Sequence, residues 1–220
     1  MIRAPLWLAC FLFGLAGGGP VLAQVAEEAP EEPAPWGFEI KGGKFDPDLD
    51  RYNEFHGGDP VYFAATLAWR PSDWYEFGAE LGYMHDSGVG IFESTQVLGG
   101  SVKYTLVPVH LYVSVFGRFS PGQWVVPYAG LGATMAWYKQ DIDSQPDRSG
   151  RTDLGYNARI GLQLLLNKLD RRTAKRAARN GLINTYLFVE GQYFSTEADS
   201  HDLGGVTYLL GLRLEFDFSR

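Results

Sequence analysis

The stretch Val206 to Phe218 reads VTYLLGLRLEFDF. Val206, Tyr208, Leu210, Leu212, Leu214, Phe216 and Phe218 share one parity, and Thr207, Gly211, Arg213, Glu215 and Asp217 share the other, with Leu209 as the exception. Side chains on an extended strand point alternately to opposite faces, so this segment predicts a strand with one apolar wall and one ionic wall.

The same alternation recurs toward the N-terminus. Leu154, Tyr156, Ala158, Ile160, Leu162 and Leu164 oppose Asp153, Asn157, Arg159 and Gln163. Val107, Val109, Leu111, Val113 and Val115 oppose His110, Ser114 and Arg118. Tyr75, Phe77, Ala79, Leu81 and Tyr83 oppose Glu76 and Glu80, and Val61, Phe63, Ala65, Leu67 and Trp69 oppose Tyr62, Thr66 and Arg70. Three weaker segments complete the set: 36–45 with Glu39 and Lys41 on the polar side, 124–139 with Gly130, Gly132 and Thr134, and 182–195 with Glu190 and Gln192. Together they predict eight strands.

The connections alternate in length. Pro71-Ser72-Asp73 and Ser120-Pro121-Gly122-Gln123 read as tight turns, whereas 46–60, 85–100, 140–151 and 196–204 read as long polar loops. Residues 167–180, NKLDRRTAKRAARN, followed by Gly181, predict a helix of about three turns with a glycine stop.

Two further features place the chain in a cell. Arg3, the apolar stretch Ala4 to Leu15 and the exit Val21-Leu22-Ala23 form a secretory signal peptide cut after Ala23, so residues 1–23 are expected to be removed. Residues 24–35, QVAEEAPEEPAP, read as a disordered acidic leader, and 36–220 as one domain. Cys10, the one cysteine, lies inside the signal, so the exported chain has neither disulfides nor thiolate chemistry. The chain's 19 basic residues less Arg3 leave 18 against 26 acidic ones, a net charge of −8 that argues against nucleic acid as a partner. No apolar run after Ala23 approaches the roughly 20 residues of a spanning helix, so a membrane-spanning version of this chain must use strands.

Alternation alone also suits a water-soluble barrel with the apolar wall inside. Three observations favour the opposite arrangement. Trp36, Trp69, Trp74 and Trp124 cluster at strand ends on the tight-turn side and Trp137 lies toward the other, as in the aromatic girdles of a bilayer protein. The polar wall mixes signs, with Glu39, Glu76, Glu80, Glu190, Glu215 and Asp217 against Lys41, Arg70, Arg118, Arg159 and Arg213. Inside a narrow eight-stranded barrel such charges can pair into a plug. Gly130, Gly132, Gly155 and Gly161 share that parity and leave room for long side chains. The expected fold class is therefore all-β: an eight-stranded antiparallel up-and-down transmembrane β-barrel with one short periplasmic helix. Short periplasmic turns and longer external loops place both termini in the periplasm.

The C-terminal run Leu209 to Phe218 resembles the last-strand signal by which the barrel assembly machinery recognises outer-membrane proteins. That resemblance implies Gly211, Leu214, Phe216 and Phe218 as the recognised positions. Ser219 and Arg220 displace the usual terminal aromatic, and Leu209 stands where a polar residue is usual. Over 36–220 the chain is similar to small eight-stranded barrels such as the membrane domain of the major outer-membrane protein A. The stretch Arg171 to Phe188 resembles a barrel family of myxobacteria and related bacteria that brings no activity with it.

Candidate chemistry is sparse. His110 lies on the polar parity of a strand without a sequence-local ligand pair, so a structural role is expected and no metal or cofactor is implied. Ser101, His85 and Asp86 are the groups an enzyme acting on lipid A would draw on, and no motif joins them. The acidic runs Asp46-Pro47-Asp48-Leu49-Asp50 and Asp141-Ile142-Asp143 offer oxygen ligands for divalent cations bridging to lipopolysaccharide phosphates, although a solvated loop is the simpler reading. Lys168, Arg171, Arg172, Lys175, Arg176 and Arg179 hold six of the 18 exported basic residues in the helical connection. They are expected to meet anionic headgroups, peptidoglycan carboxylates, or Glu27, Glu28, Glu31 and Glu32 of the leader. The expected function is a non-enzymatic structural or surface-interaction barrel with a charge-plugged lumen. The alternatives are a narrow conduit for small or apolar solutes and a lipid A-modifying enzyme.

Overall fold

The structure, a computed structural model, describes residues 36–48, 60–91, 98–120, 122–142, 147–198 and 201–217. The signal peptide, the acidic leader and Phe218 lie outside them. Eight strands form the barrel wall: β1 (Trp36–Pro47), β2 (Val61–Trp69), β3 (Tyr75–Ile91), β4 (Leu98–Phe116), β5 (Val125–Ile142), β7 (Gly155–Leu165), β8 (Leu182–Ser195) and β11 (Gly205–Phe216). Each pairs antiparallel with its sequence neighbour in the wall, and β11 pairs back on β1 from Trp36↔Phe216 to Pro47↔Gly205, which closes the sheet. Closure removes the unpaired edges that a bilayer would penalise. Short β6 (Arg148–Arg151) extends the sheet beside β5, and β9 (Glu197–Ala198) pairs with β10 (His201–Asp202).

The walls divide as the parity of the sequence requires. Along β2 every odd residue from Val61 to Trp69 is exposed and every even one is buried. Arg213 and Glu215 are buried while Tyr208, Leu210 and Leu212 are exposed. An apolar exterior around a polar interior is the reverse of a water-soluble barrel and suits a hydrocarbon surround. The nine residues of β2, at about 3.4 Å each and a tilt of about 40°, span roughly 23 Å, close to the ~25 Å apolar band of such barrels.

Two sequence expectations change. Residues 85–100 and 140–151 are largely strand: β3 runs to Ile91, β4 begins at Leu98, β5 runs to Ile142, and β6 folds back onto it. His85, Asp86 and Ser87, the glycines Gly88, Gly90, Gly99 and Gly100, and the polar Lys139, Gln140 and Asp141 are poor strand formers, so these stretches read as loop. The helical connection is shorter than expected, because a 3-10 turn (Leu166–Lys168) precedes α1 (Arg171–Ala178). Asp170 starts α1, its Oδ1 accepting the Arg172 N–H at 3.0 Å, and Gly181 ends the segment at φ 83°. Leu209, the exception in the last strand, points inward with other apolar residues described below.

Candidate functional site

The inner wall is the candidate site. β1 supplies Glu39 and Lys41, β3 Glu76 and Glu80, β7 Arg159, β8 Glu190, and β11 Arg213 and Glu215. Arg70 and Arg118 follow the ends of β2 and β4. All are buried except Arg118, whose side chain is 16% exposed. Burial is tolerable for charges only when they are paired and hydrogen-bonded.

One group centres on Arg213, near the end where the termini of the wall lie. Its Nη1 donates to Glu39 Oε1 at 2.6 Å and Glu76 Oε1 at 2.9 Å, its Nη2 pairs with Glu76, and its Nε donates to Glu215 Oε1 at 3.1 Å. Arg70 pairs with Glu215 and lies 3.5 Å from Glu76, and Arg118 donates to Glu215 at 2.8 Å. The three guanidiniums surround the Phe116 ring at 5.2, 5.7 and 5.3 Å from its centroid for Arg70, Arg118 and Arg213. Such cation–π contacts add to the apolar packing of the ring. Gly37 makes space for this group, since a Cβ there would stand 2.7 Å from Arg213 Nη2.

The second group sits deeper. Lys41 Nζ lies 2.5 Å from Glu190 Oε1 and 2.7 Å from Glu80 Oε2, and Arg159 Nη1 donates to Glu80 at 2.8 Å. Tyr128 donates to Glu190 at 2.8 Å and Thr66 to Glu80 at 3.3 Å. The Arg159 guanidinium stacks 3.5 Å from the Tyr112 ring centroid. His110 follows, its Nδ1 2.7 Å from Thr134 Oγ1 and its Nε2 3.3 Å from the Tyr62 hydroxyl. Glu39, Glu76, Glu80, Glu190 and Glu215 thus face Lys41, Arg70, Arg118, Arg159 and Arg213, five carboxylates against five cations. Asp217 is buried as well, and its N–H donates to Gly181 O at 2.9 Å.

Beyond His110 the inner wall turns apolar. Phe45, Tyr62, Met84, Tyr104, Leu106, Ala136, Phe194, Leu203 and Leu209 form a buried cluster toward the long connections. Phe45 and Phe194 stack at 5.4 Å between centroids. Leu203 joins from the segment after β10, which Asp202 staples: it accepts Thr196 N–H at 3.0 Å, Gly204 N–H at 2.8 Å and Ser195 Oγ at 2.7 Å. A second cluster, Phe116, Val126, Tyr128, Leu165 and Tyr186, lies toward the opposite end. Reading the sequence for charges missed the first cluster. Its signal was present as apolar residues on the polar parity, all near the long-connection end of their strands.

The other expected sites are placed as follows. Trp36, Trp69, Trp74, Trp124 and Trp137 all face outward and exposed, with Trp36 and Trp69 register partners. Gly211 faces inward, while Leu214 and Phe216 are half-buried on the outer parity of β11. Arg172, Arg176 and Arg179 are exposed, Lys168 is half-buried, and the side chains of Arg171 and Lys175 lie outside the described set. Ser101 is not brought to His85: it pairs in register with Val89, and His85 pairs with Thr105. Asp50 and Asp143 of the acidic runs lie outside the described residues, and among those described no metal-binding cluster forms.

Neither a protein-family model nor a curated protein matches the sequence. Solved structures do. OprG from Pseudomonas aeruginosa superposes with a TM-score of 0.57 at 15% identity over 84% of this chain and 97% of that one. Neisserial surface protein A gives 0.53 at 10% identity over 84% of this chain and 100% of that one. At these identities the likeness is one of fold: the chain is an eight-stranded antiparallel β-barrel of the small outer-membrane type.

Proposed function

We propose that this chain is a non-enzymatic barrel of the bacterial outer membrane, with both termini in the periplasm, a lumen closed by its own charges, and long connections free to meet partners outside the cell. The observation that carries this reading is the set of ion pairs that joins the buried Glu39, Glu76, Glu80, Glu190 and Glu215 to Lys41, Arg70, Arg118, Arg159 and Arg213, backed by the apolar cluster around Phe45 and Phe194. The orientation rests on the tight turns at 70–74 and 117–124 against the long connections at the other end.

Planar-bilayer conductance tests the closure. The wild type is expected to pass little current, and Arg159→Ala or Glu215→Ala to raise it; large steady currents in the wild type would end the reading. Labelling Asp147→Cys in intact cells with an impermeant maleimide tests the orientation, and protection of that cysteine until the cells are opened would reverse it. A second reading, a narrow conduit for small or apolar solutes, draws on Gln163, whose fully buried amide meets no protein partner, and on Ser114 Oγ, which is likewise unpaired. The same conductance measurement decides between them. Lipid A modification gains nothing from the separation of Ser101 and His85, and unchanged acyl composition on expression would close it.

A further inference from the structure

The tight-turn end of the barrel carries a surface that the lumen does not explain. Arg172 and Arg176 of α1 and Arg179, the first residue after it, are exposed; a spacing of four sets the first two on one helical face, and the turn continues from there with Arg179. Ala174, Ala177 and Ala178 are half-buried on the other, and α1 packs against β8. The segment begins at the aromatic girdle itself: Lys168 Nζ lies 5.3 Å from the ring centroid of Trp124. Leu169, the next residue, is 69% exposed, and Phe119 of the neighbouring turn is 76% exposed. Phe119 meets Trp74 edge to face at 6.2 Å.

Bulky apolar side chains left in the open beside girdle tryptophans mark the level where hydrocarbon gives way to headgroups. Cations on a helix leaving that level stand at the depth of the lipid phosphates. The basic face is also an island on a chain whose formal net charge is −7. A peptidoglycan partner would need the cations but not the exposed Leu169 and Phe119 beside them. From this juxtaposition we infer that Lys168, Arg172, Arg176 and Arg179 form a binding surface for the phosphates of anionic glycerophospholipids in the leaflet that the tight-turn end faces. This rests on the reading of the barrel as membrane-spanning, but not on which side its loops face.

The test uses the full barrel refolded into nanodiscs. Phosphatidylcholine discs are compared with discs holding about a third phosphatidylglycerol. A fluorophore on Asn180→Cys reports contact with spin-labelled phosphatidylglycerol or phosphatidylcholine. The expected result is stronger quenching by the anionic lipid, weakened by 0.5 M salt. In the Lys168→Gln, Arg172→Gln, Arg176→Gln, Arg179→Gln variant the preference should fall at least about tenfold, since each cation near an anionic surface contributes on the order of fivefold. Heat-modifiable gel migration checks that the variant is still a folded barrel. Equal quenching by the two lipids, or a preference that survives in the folded variant, overturns the inference. So does a variant that loses sedimentation with isolated peptidoglycan while keeping its lipid preference. Symmetric discs make each outcome independent of orientation, and failure to insert at all would count against the barrel reading instead.

Discussion

Arg213→Met removes the centre of the inner charge cluster and leaves a shorter, unbranched apolar side chain. The guanidinium is fully buried and bonds Glu39 at 2.6 Å, Glu76 at 2.9 Å and Glu215 at 3.1 Å. At an effective dielectric of about 20, unit charges 4 Å apart attract by about 4 kcal/mol each, and desolvation offsets much of that sum. The variant leaves those carboxylates buried with one cation fewer, and breaking a buried pair in this way costs about 3–5 kcal/mol. Urea unfolding of the barrel in phospholipid vesicles, followed by tryptophan fluorescence, is expected to show that loss. Adding Glu39→Met should recover part of it, because the carboxylate that Arg213 holds at 2.6 Å is then gone as well. A loss under about 1 kcal/mol, the range of solvated ion pairs, would refute the argument, since it would mean the lumen charges are hydrated.

Other variants probe the outer wall and the space inside. Leu131, 71% exposed at the middle of β5, should cost about 2–4 kcal/mol as Leu131→Arg in vesicles, and a change within about 0.5 kcal/mol would deny it a hydrocarbon neighbour. Gly161→Ala and Gly191→Ala form a matched pair on opposite walls. A Cβ at Gly161 would stand 2.5 Å from the inward Tyr128 ring, whereas one at Gly191 meets nothing within 4 Å. The first should lose about 1–3 kcal/mol and the second almost none in the same unfolding assay, and the reverse order would contradict the assignment of the walls.

The parts of this fold that were legible in the sequence are those set by local periodicity. Alternation along 206–218 placed Arg213 and Glu215 on the wall opposite Leu212, and the structure buries the first two and exposes the third. The glycine stop at Gly181 was equally local, being a matter of one residue's backbone. What stayed hidden depends on neighbours distant in the chain. Residues 85–91 owe their strand to pairing with β4, and the polar His85, Asp86 and Ser87 and the glycines Gly88 and Gly90 carry no sign of it. The approach of Arg213 to Glu39, 174 residues away, follows from barrel closure and register. Phe45, Met84 and Phe194 obey the inward parity but not its polarity, because a sealed interior accepts either paired charge or packed hydrocarbon. Only the assembled wall shows that they meet at one level.

Spin-label scanning along β11 tests the central claim most directly. Single cysteines from Tyr208 to Glu215, in a chain whose one native cysteine is Cys10 of the signal region, would each carry a nitroxide in lipid vesicles. Collisional access by lipid-dissolved oxygen should be high at 208, 210, 212 and 214 and low at 209, 211, 213 and 215. Flat access along the strand, or high access at 213 and 215, would show that the ionic wall is not the sealed interior.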